Sequence, residues 1–288
     1  MLLKAIAIFP DWPTPYGYLS NHLQKLGRLD ESVAWGMEEM ALSEDPMSGG
    51  SLLGIYQDFG DDDSITRFVK SFPKEHPLYP VGKSYWHFVT RDYAGTVSEI
   101  ENMSDLAEYP LDFVYPMMVG SLIMLGDYDR AYDYLSRSNP GLTADADISV
   151  DRKNVDEAIL LAYIEQKRDH PQQARVLLDK ALPVVEDLPR LGMAGHGIED
   201  VHILTLQGRP NAAIEALLSA VDEGFVSSQG FDAWPFDQDP IIEPLRSDPR
   251  FTEIERRIND RIEEMRQNVE DARLSGDWGD LLAKAETV

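Results

Sequence analysis

The 288-residue chain has no cysteine, which removes disulfide staples, thiolate nucleophiles and cysteine-ligated metals together. Basic side chains are scarce, 26 against 51 Asp and Glu, for a formal charge of −25. Such a surface repels phosphate backbones and anionic lipid headgroups, so direct nucleic-acid binding is not expected. Histidine is limited to six residues, which leaves few groups for acid–base or metal chemistry near neutral pH. No apolar run approaches the roughly 18 residues of a membrane span. The opening Met1–Pro10 has one lysine and an apolar run shorter than a signal peptide's, so no membrane insertion is expected. A glycine-rich phosphate loop, a Ser-His-Asp arrangement and a strand-turn-helix nucleophile motif are also missing.

What is present is a recurring turn. Gly27-Arg-Leu-Asp-Glu-Ser32, Gly60-Asp-Asp-Asp-Ser-Ile65, Arg91-Asp-Tyr-Ala-Gly-Thr96, Gly126-Asp-Tyr-Asp-Arg-Ala131, Asp169-His-Pro-Gln-Gln-Ala174 and Gly208-Arg-Pro-Asn-Ala-Ala213 share one pattern. A permissive residue ends one helix, an acidic or proline residue opens the next, and a small residue follows where two helices approach closely. The starts lie 33, 31, 35, 43 and 39 residues apart. The flanks add Tyr16, Leu19, Ser20, Leu23, Ala41, Leu42 and Pro46 in the first copy; Leu161, Ala162, Leu178 and Ala181 recur in the fifth.

In these positions the chain resembles the tetratricopeptide repeat family, whose period is about 34 residues. The resemblance implies an all-α fold: a solenoid of antiparallel helix pairs winding as a right-handed superhelix, over residues 1–224, with about six repeats. Residues 225–288 are expected to hold an aromatic loop, Phe231–Phe236, and a C-terminal capping helix. The stripe Phe251, Ile254, Ile258, Ile262, Met265 and Val269 suits that cap, or a short coiled-coil dimer. Pro80 and Gly82 are expected to shorten the first helix of the third repeat. Met1–Pro10 reads as the second helix of a repeat whose first helix is missing, which suggests either an upstream extension or packing against a second copy. Asp239-Pro-Ile-Ile-Glu-Pro-Leu-Arg-Ser-Asp-Pro-Arg-Phe251 resembles the closing segment of repeat regions in bacterial winged-helix regulators and nucleotide cyclases.

The chemical candidates are few. His196, Glu199, Asp200 and His202 form the densest cluster, either a metal site with three of them on one helical side or ordinary surface polar residues. Asp61-Asp62-Asp63 reads as a helix N-terminal charge, with calcium as the alternative. No catalytic, cofactor or metal residue is therefore assigned. In the related family, a chaperone-binding clamp places asparagine just after the small residue of the first helix. That slot holds Asn21, Gly54, Gly120, Tyr163 and His202 here, so only the first repeat matches. The candidate partner groove is Asn21, Met117, Tyr163 and His202, although Met117 and Tyr163 also suit a core. The expectation is a non-catalytic protein-interaction or sensory module of a bacterial signalling or regulatory protein, taking an apolar or basic protein segment. Its expected compartment is the cytoplasm, or the periplasm if it serves a membrane-anchored regulator. The alternatives are a self-associating scaffold, including a homodimer, and an enzyme accessory with a small-molecule pocket near His196 and Trp234.

Overall fold

The computed structural model describes residues 1–45, 48–50, 52–103, 111–143, 148–226 and 234–284. Among the described residues it is all-helical, with fifteen α-helices and no strand. After α1 (Leu2–Ile8) come six helical hairpins in succession. These are α2 (Thr14–Lys25) with α3 (Leu29–Leu42), α4 (Leu52–Asp58) with α5 (Asp62–Ser71), and α6 (Tyr79–Val89) with α7 (Tyr93–Glu101). They continue as α8 (Leu111–Met124) with α9 (Tyr128–Ser138), α10 (Val155–Lys167) with α11 (Pro171–Glu186), and α12 (Glu199–Leu206) with α13 (Pro210–Glu223). The long α14 (Pro249–Ser275) and the short α15 (Gly279–Lys284) complete the chain. Pro46, expected to close the first repeat, and Phe231 of the aromatic loop lie outside the described residues.

One backbone device makes all six hairpins. The residues that open the recurring turn are left-handed in every copy, with φ of 71° at Gly27, 65° at Gly60, 65° at Arg91, 75° at Gly126, 60° at Asp169 and 69° at Gly208. Each donates its N–H to the carbonyl three residues back, and the next residue donates to the carbonyl five back, as in Arg28 to Leu23, Asp127 to Leu122 and Arg209 to Leu204. This pair satisfies carbonyls that the helix end would otherwise leave open. The second helix then starts within two residues. Asp61, Asp92 and Asp127 cap it by accepting from the N–H of Ser64, Gly95 and Arg130, while Pro171 and Pro210 supply a fixed φ in its first turn. The acidic Asp61 is thus a helix cap that also pairs with Arg273.

Packing within a hairpin follows from the same register. The residue seven before the turn and the residue five after it recur as a matched pair of positions: Ser20 and Ser32, Leu53 and Ile65, Ser84 and Thr96, Val119 and Ala131, Ala162 and Ala174, Val201 and Ala213. All twelve are buried. Ser20 and Ser32 satisfy each other's backbone carbonyls through their hydroxyls, at 2.8 and 2.7 Å. Between hairpins, α6 packs on α8 and α10 on α12, whereas α7, α9 and α11 each pack on the first helix that follows. Pro80 does not shorten the third repeat: it sits in the opening turn of α6, where its missing N–H has no helical partner to lose, and Gly82 continues the helix.

The C-terminal helix touches both ends of the array. Phe251, Ile254 and Ile258 of α14 are buried with Ile214, Leu217 and Val221 of α13, while its Met265 and Val269 join the core that holds Leu29 and Leu52. Five of the six stripe residues are thus buried within the chain, and Ile262 is partly buried. Asn268 donates to Asp30 at 2.8 Å, Arg273 to Asp61 at 2.8 Å, and the Leu29 N–H points at the Met265 sulfur at 3.3 Å. The turn of the first hairpin also meets the chain on both sides of the last one. Gly192 donates to the Lys25 carbonyl at 2.8 Å, and a Cβ at Gly27 would collide with the Gly224 carbonyl oxygen.

Asp169 adopts φ of 60° without the freedom of glycine, a conformation that costs a non-glycine residue roughly 1–2 kcal/mol. Asp169→Gly should raise the urea midpoint, with a gain of about 0.5–1 kcal/mol after glycine's larger unfolded-state entropy is subtracted. An unchanged or lower midpoint would show that the turn is not strained there.

Candidate functional site

The slot just after the packed residue of each first helix holds Asn21, Gly54, Tyr85, Gly120, Tyr163 and His202. The structure divides these positions into two groups. In the fourth to sixth hairpins the slot faces the chain's own segment 234–242. A Cβ on Gly120 would lie 3.6 Å from Trp234 Nε1, and His202 Nε2 lies 2.6 Å from Asp239 Oδ2. Tyr163 is buried, packs edge-on against Tyr128, and is close enough to Asp239 to feel its charge. The segment is further held by Gln238, whose amide donates to the Tyr93 hydroxyl at 2.7 Å and accepts from Arg91 at 3.1 Å, and by the Arg91–Asp237 ion pair at 3.2 Å. Trp234 and Phe236 are both buried, Phe236 stacking parallel on Phe251 at 5.5 Å.

Around His202, His196 and Asp239 are buried and Glu199, Asp200 and His202 are half-buried. His196 precedes α12 instead of sharing its face, because the 189–197 loop folds back tightly: His196 donates to the Pro189 carbonyl and Gly197 to that of Arg190. A Cβ at Gly195 would be 2.6 Å from the Arg190 carbonyl oxygen, so the glycine is what permits the fold-back. Asp200 is taken by a two-pronged pair with Arg190, at 3.0 and 2.8 Å. His196 Nδ1 and Glu199 Oε2 are 3.8 Å apart, too far for a hydrogen bond, and neither has a partner. Among the described residues no three His, Asp or Glu side chains are grouped to hold a metal ion. Trp234 joins the main core, and His196 is buried.

Burial and charge displace these groups in predictable directions. Burial lowers His202, but the Asp239 carboxylate and its hydrogen bond outweigh that and bring it to about 9. Burial raises Asp239, and the His202 charge with the N–H groups of Ile241 and Ile242 more than reverses it, holding the carboxyl below its ordinary value. Burial, with the nearby Asp156 charge, pushes Glu199 up to about 8.

Asn21 and Met117 belong to the other group. They line an open cavity of 440 Å³ at the start of the array, within the range of small-ligand pockets. One wall is the α2 face formed by Thr14, Gly17, Tyr18 and Asn21, and the apolar side includes Leu53, Phe68, Phe72 and Val81. Thus two of the four groove candidates share this cavity and the other two lie with Asp239.

Neither a scan against protein-family models nor a search of curated proteins finds a match. The function therefore has to be read from the geometry. Two contributors escaped the sequence pattern. Asp239 looked like part of a closing segment, and Glu39 lies on a second helix. Gly17 inside α2 was the available signal for Glu39, since a helix-interior glycine marks a close approach. Among the described residues no helix is long and apolar enough to cross a membrane.

Proton linkage sets the expected pH response. Glu199, raised from 4.5 to about 8, keeps its proton in the folded chain after the unfolded chain has lost it, so stability falls as pH rises through that window. His202, raised from 6.5 to about 9, adds stability that is complete below 6.5 and lost through about 9. Asp239 works in the opposite sense, its contribution disappearing as pH drops through its lowered value. Urea midpoints at about pH 5, 7 and 9 should decline in the wild type, and Glu199→Gln should remove most of the decline between the first two. An identical decline in the variant would contradict the assignment.

Proposed function

We propose that the chain is a non-catalytic docking module of tetratricopeptide type, acting as one part of a bacterial signalling or regulatory protein in the cytoplasm. Its first helices form the inner side of a right-handed superhelix and hold a protein segment there. Contact between first helices of adjoining hairpins, α6 with α8 and α10 with α12, supports that curvature. The observation that carries the reading is the self-occupied groove: Gly120, Tyr163 and His202 receive Trp234 to Asp239 of the same chain. A surface that seats an irregular segment through its repeat slots is built to bind peptide. The open slots around Asn21 and Met117, with a formal charge of −25, favour an apolar segment bearing basic residues.

Selection of displayed random peptides on the full chain tests this. Enrichment of apolar, basic peptides is expected, with binding weakened about tenfold or more by Asn21→Lys and unaffected by Val176→Lys on the exposed side of α11. Peptides equally sensitive to both substitutions, or no enrichment, would refute it.

A second reading, self-association, has its own observation. Ile8, Phe9 and Trp12 are exposed at 67%, 60% and 50%, beside α1, whose Leu2, Leu3 and Ile6 pack on α2. On that reading sedimentation velocity shows a dimer that Phe9→Lys converts to monomer. A monomeric wild type rules it out.

A further inference from the structure

The cavity at the start of the array has a chemistry beyond peptide docking. Its body is apolar, made by Leu53, Phe68, Phe72, Leu78, Val81 and Met117. Its charged lining is of one sign, Glu39 and Asp45. The carboxylate of Glu39 lies directly against Gly17, whose missing side chain is what admits it; a Cβ there would collide with both carboxylate oxygens' end of the side chain. Asn21 follows Gly17 by four residues, so it stands one helical turn along the same α2 face. Its Oδ1 is buried and accepts no hydrogen bond. A carboxylate, which also accepts from the Gly49 N–H, and an amide oxygen are therefore placed at successive turns of one α2 face beside an apolar space, and no Lys, Arg or His is among the lining residues.

We infer that this cavity binds a small organic ammonium ion, a primary amine on an aromatic or branched aliphatic body. The ammonium group donates to Asn21 Oδ1 and the Glu39 carboxylate, and the hydrocarbon fills the space between Phe68, Phe72 and Met117. An ammonium has three donors and no acceptor, which matches an end that offers acceptors. A buried acceptor without a partner costs free energy comparable to a lost hydrogen bond, and a donor-bearing ligand recovers it. Carboxylates of the same shape are rejected, because their charge would face Glu39 with no basic side chain to offset it. This site shares Asn21 and Met117 with the open slots of the peptide reading but does not depend on it, because it adds the Glu39 carboxylate and is read by small-molecule titration and by Glu39→Gln rather than by peptide binding.

Isothermal titration of the full chain with phenethylamine tests the site, with 3-phenylpropanoate as the matched anion and 2-phenylethanol as the neutral comparison. One saturable site is expected for the amine, at least about tenfold weaker binding for the alcohol, and none for the carboxylate. Glu39→Gln should weaken the amine by about tenfold or more while leaving the alcohol unchanged. Gly82→Leu provides a second variant: Gly82 lines the cavity and a Cβ there meets nothing within 4 Å, so the leucine side chain starts into open space. It should abolish amine binding with the thermal midpoint retained. The proposal is overturned if phenethylamine shows no saturable heat, if the carboxylate binds as well, or if Gly82→Leu binds like the wild type.

Discussion

A helix of the lengths seen here leaves four carbonyls open at its end, and the chain closes that end in the same way six times. The left-handed residue and the two hydrogen bonds around it reverse the chain within two or three residues. Everything larger depends on this tightness. Because the reversal is short, the two helices run side by side, and the residues seven before it and five after it are buried in all six hairpins. Where glycine is absent, at Arg91 and Asp169, the geometry is kept despite the steric cost of a Cβ. The demand for the turn thus outweighs the preference of the residue.

The face that carries the later slots is built differently. Its later slots enclose a charged pair, His202 with Asp239, along with a carboxyl at Glu199 and an imidazole nitrogen at His196 that find no partner. Such groups are poor devices for stability, since an apolar replacement of similar shape is often as good or better. They do impose position. The Asp239 carboxylate accepts from the Ile241 N–H at 2.8 Å as well as facing His202, so the segment is fixed in orientation as it crosses α12.

What the sequence made legible was local. All six turns, their helix caps and the buried small residues lie within about a dozen residues of one another, and the residue types that suit them are few. The slot count from the turn likewise located Asn21, Tyr163 and His202. What remained hidden was set by distant partners: Asp239 lies 37 residues from His202, and Asn268 lies 238 from Asp30. No periodicity encodes such pairings. Pro80 was misleading for a related reason, because proline either ends or opens a helix and only the neighbouring chain, here the turn before Tyr79, decides which. The apolar stripe of α14 was visible as a stripe, yet its two halves cover opposite ends of the array, which spacing alone does not reveal.

The bridge made by α14 changes how the molecule comes apart. A linear stack of hairpins has nearest-neighbour coupling and loses its outer units first, as a zipper opens from its ends. With Gly27 against Gly224 and α14 fastened to both α3 and α13, neither terminal hairpin is an outer unit. Opening then begins with the loss of contacts far apart in sequence, and re-forming them requires closure of a loop nearly as long as the chain. The bridged stack therefore behaves as a single cooperative unit and folds more slowly than its local turns would suggest.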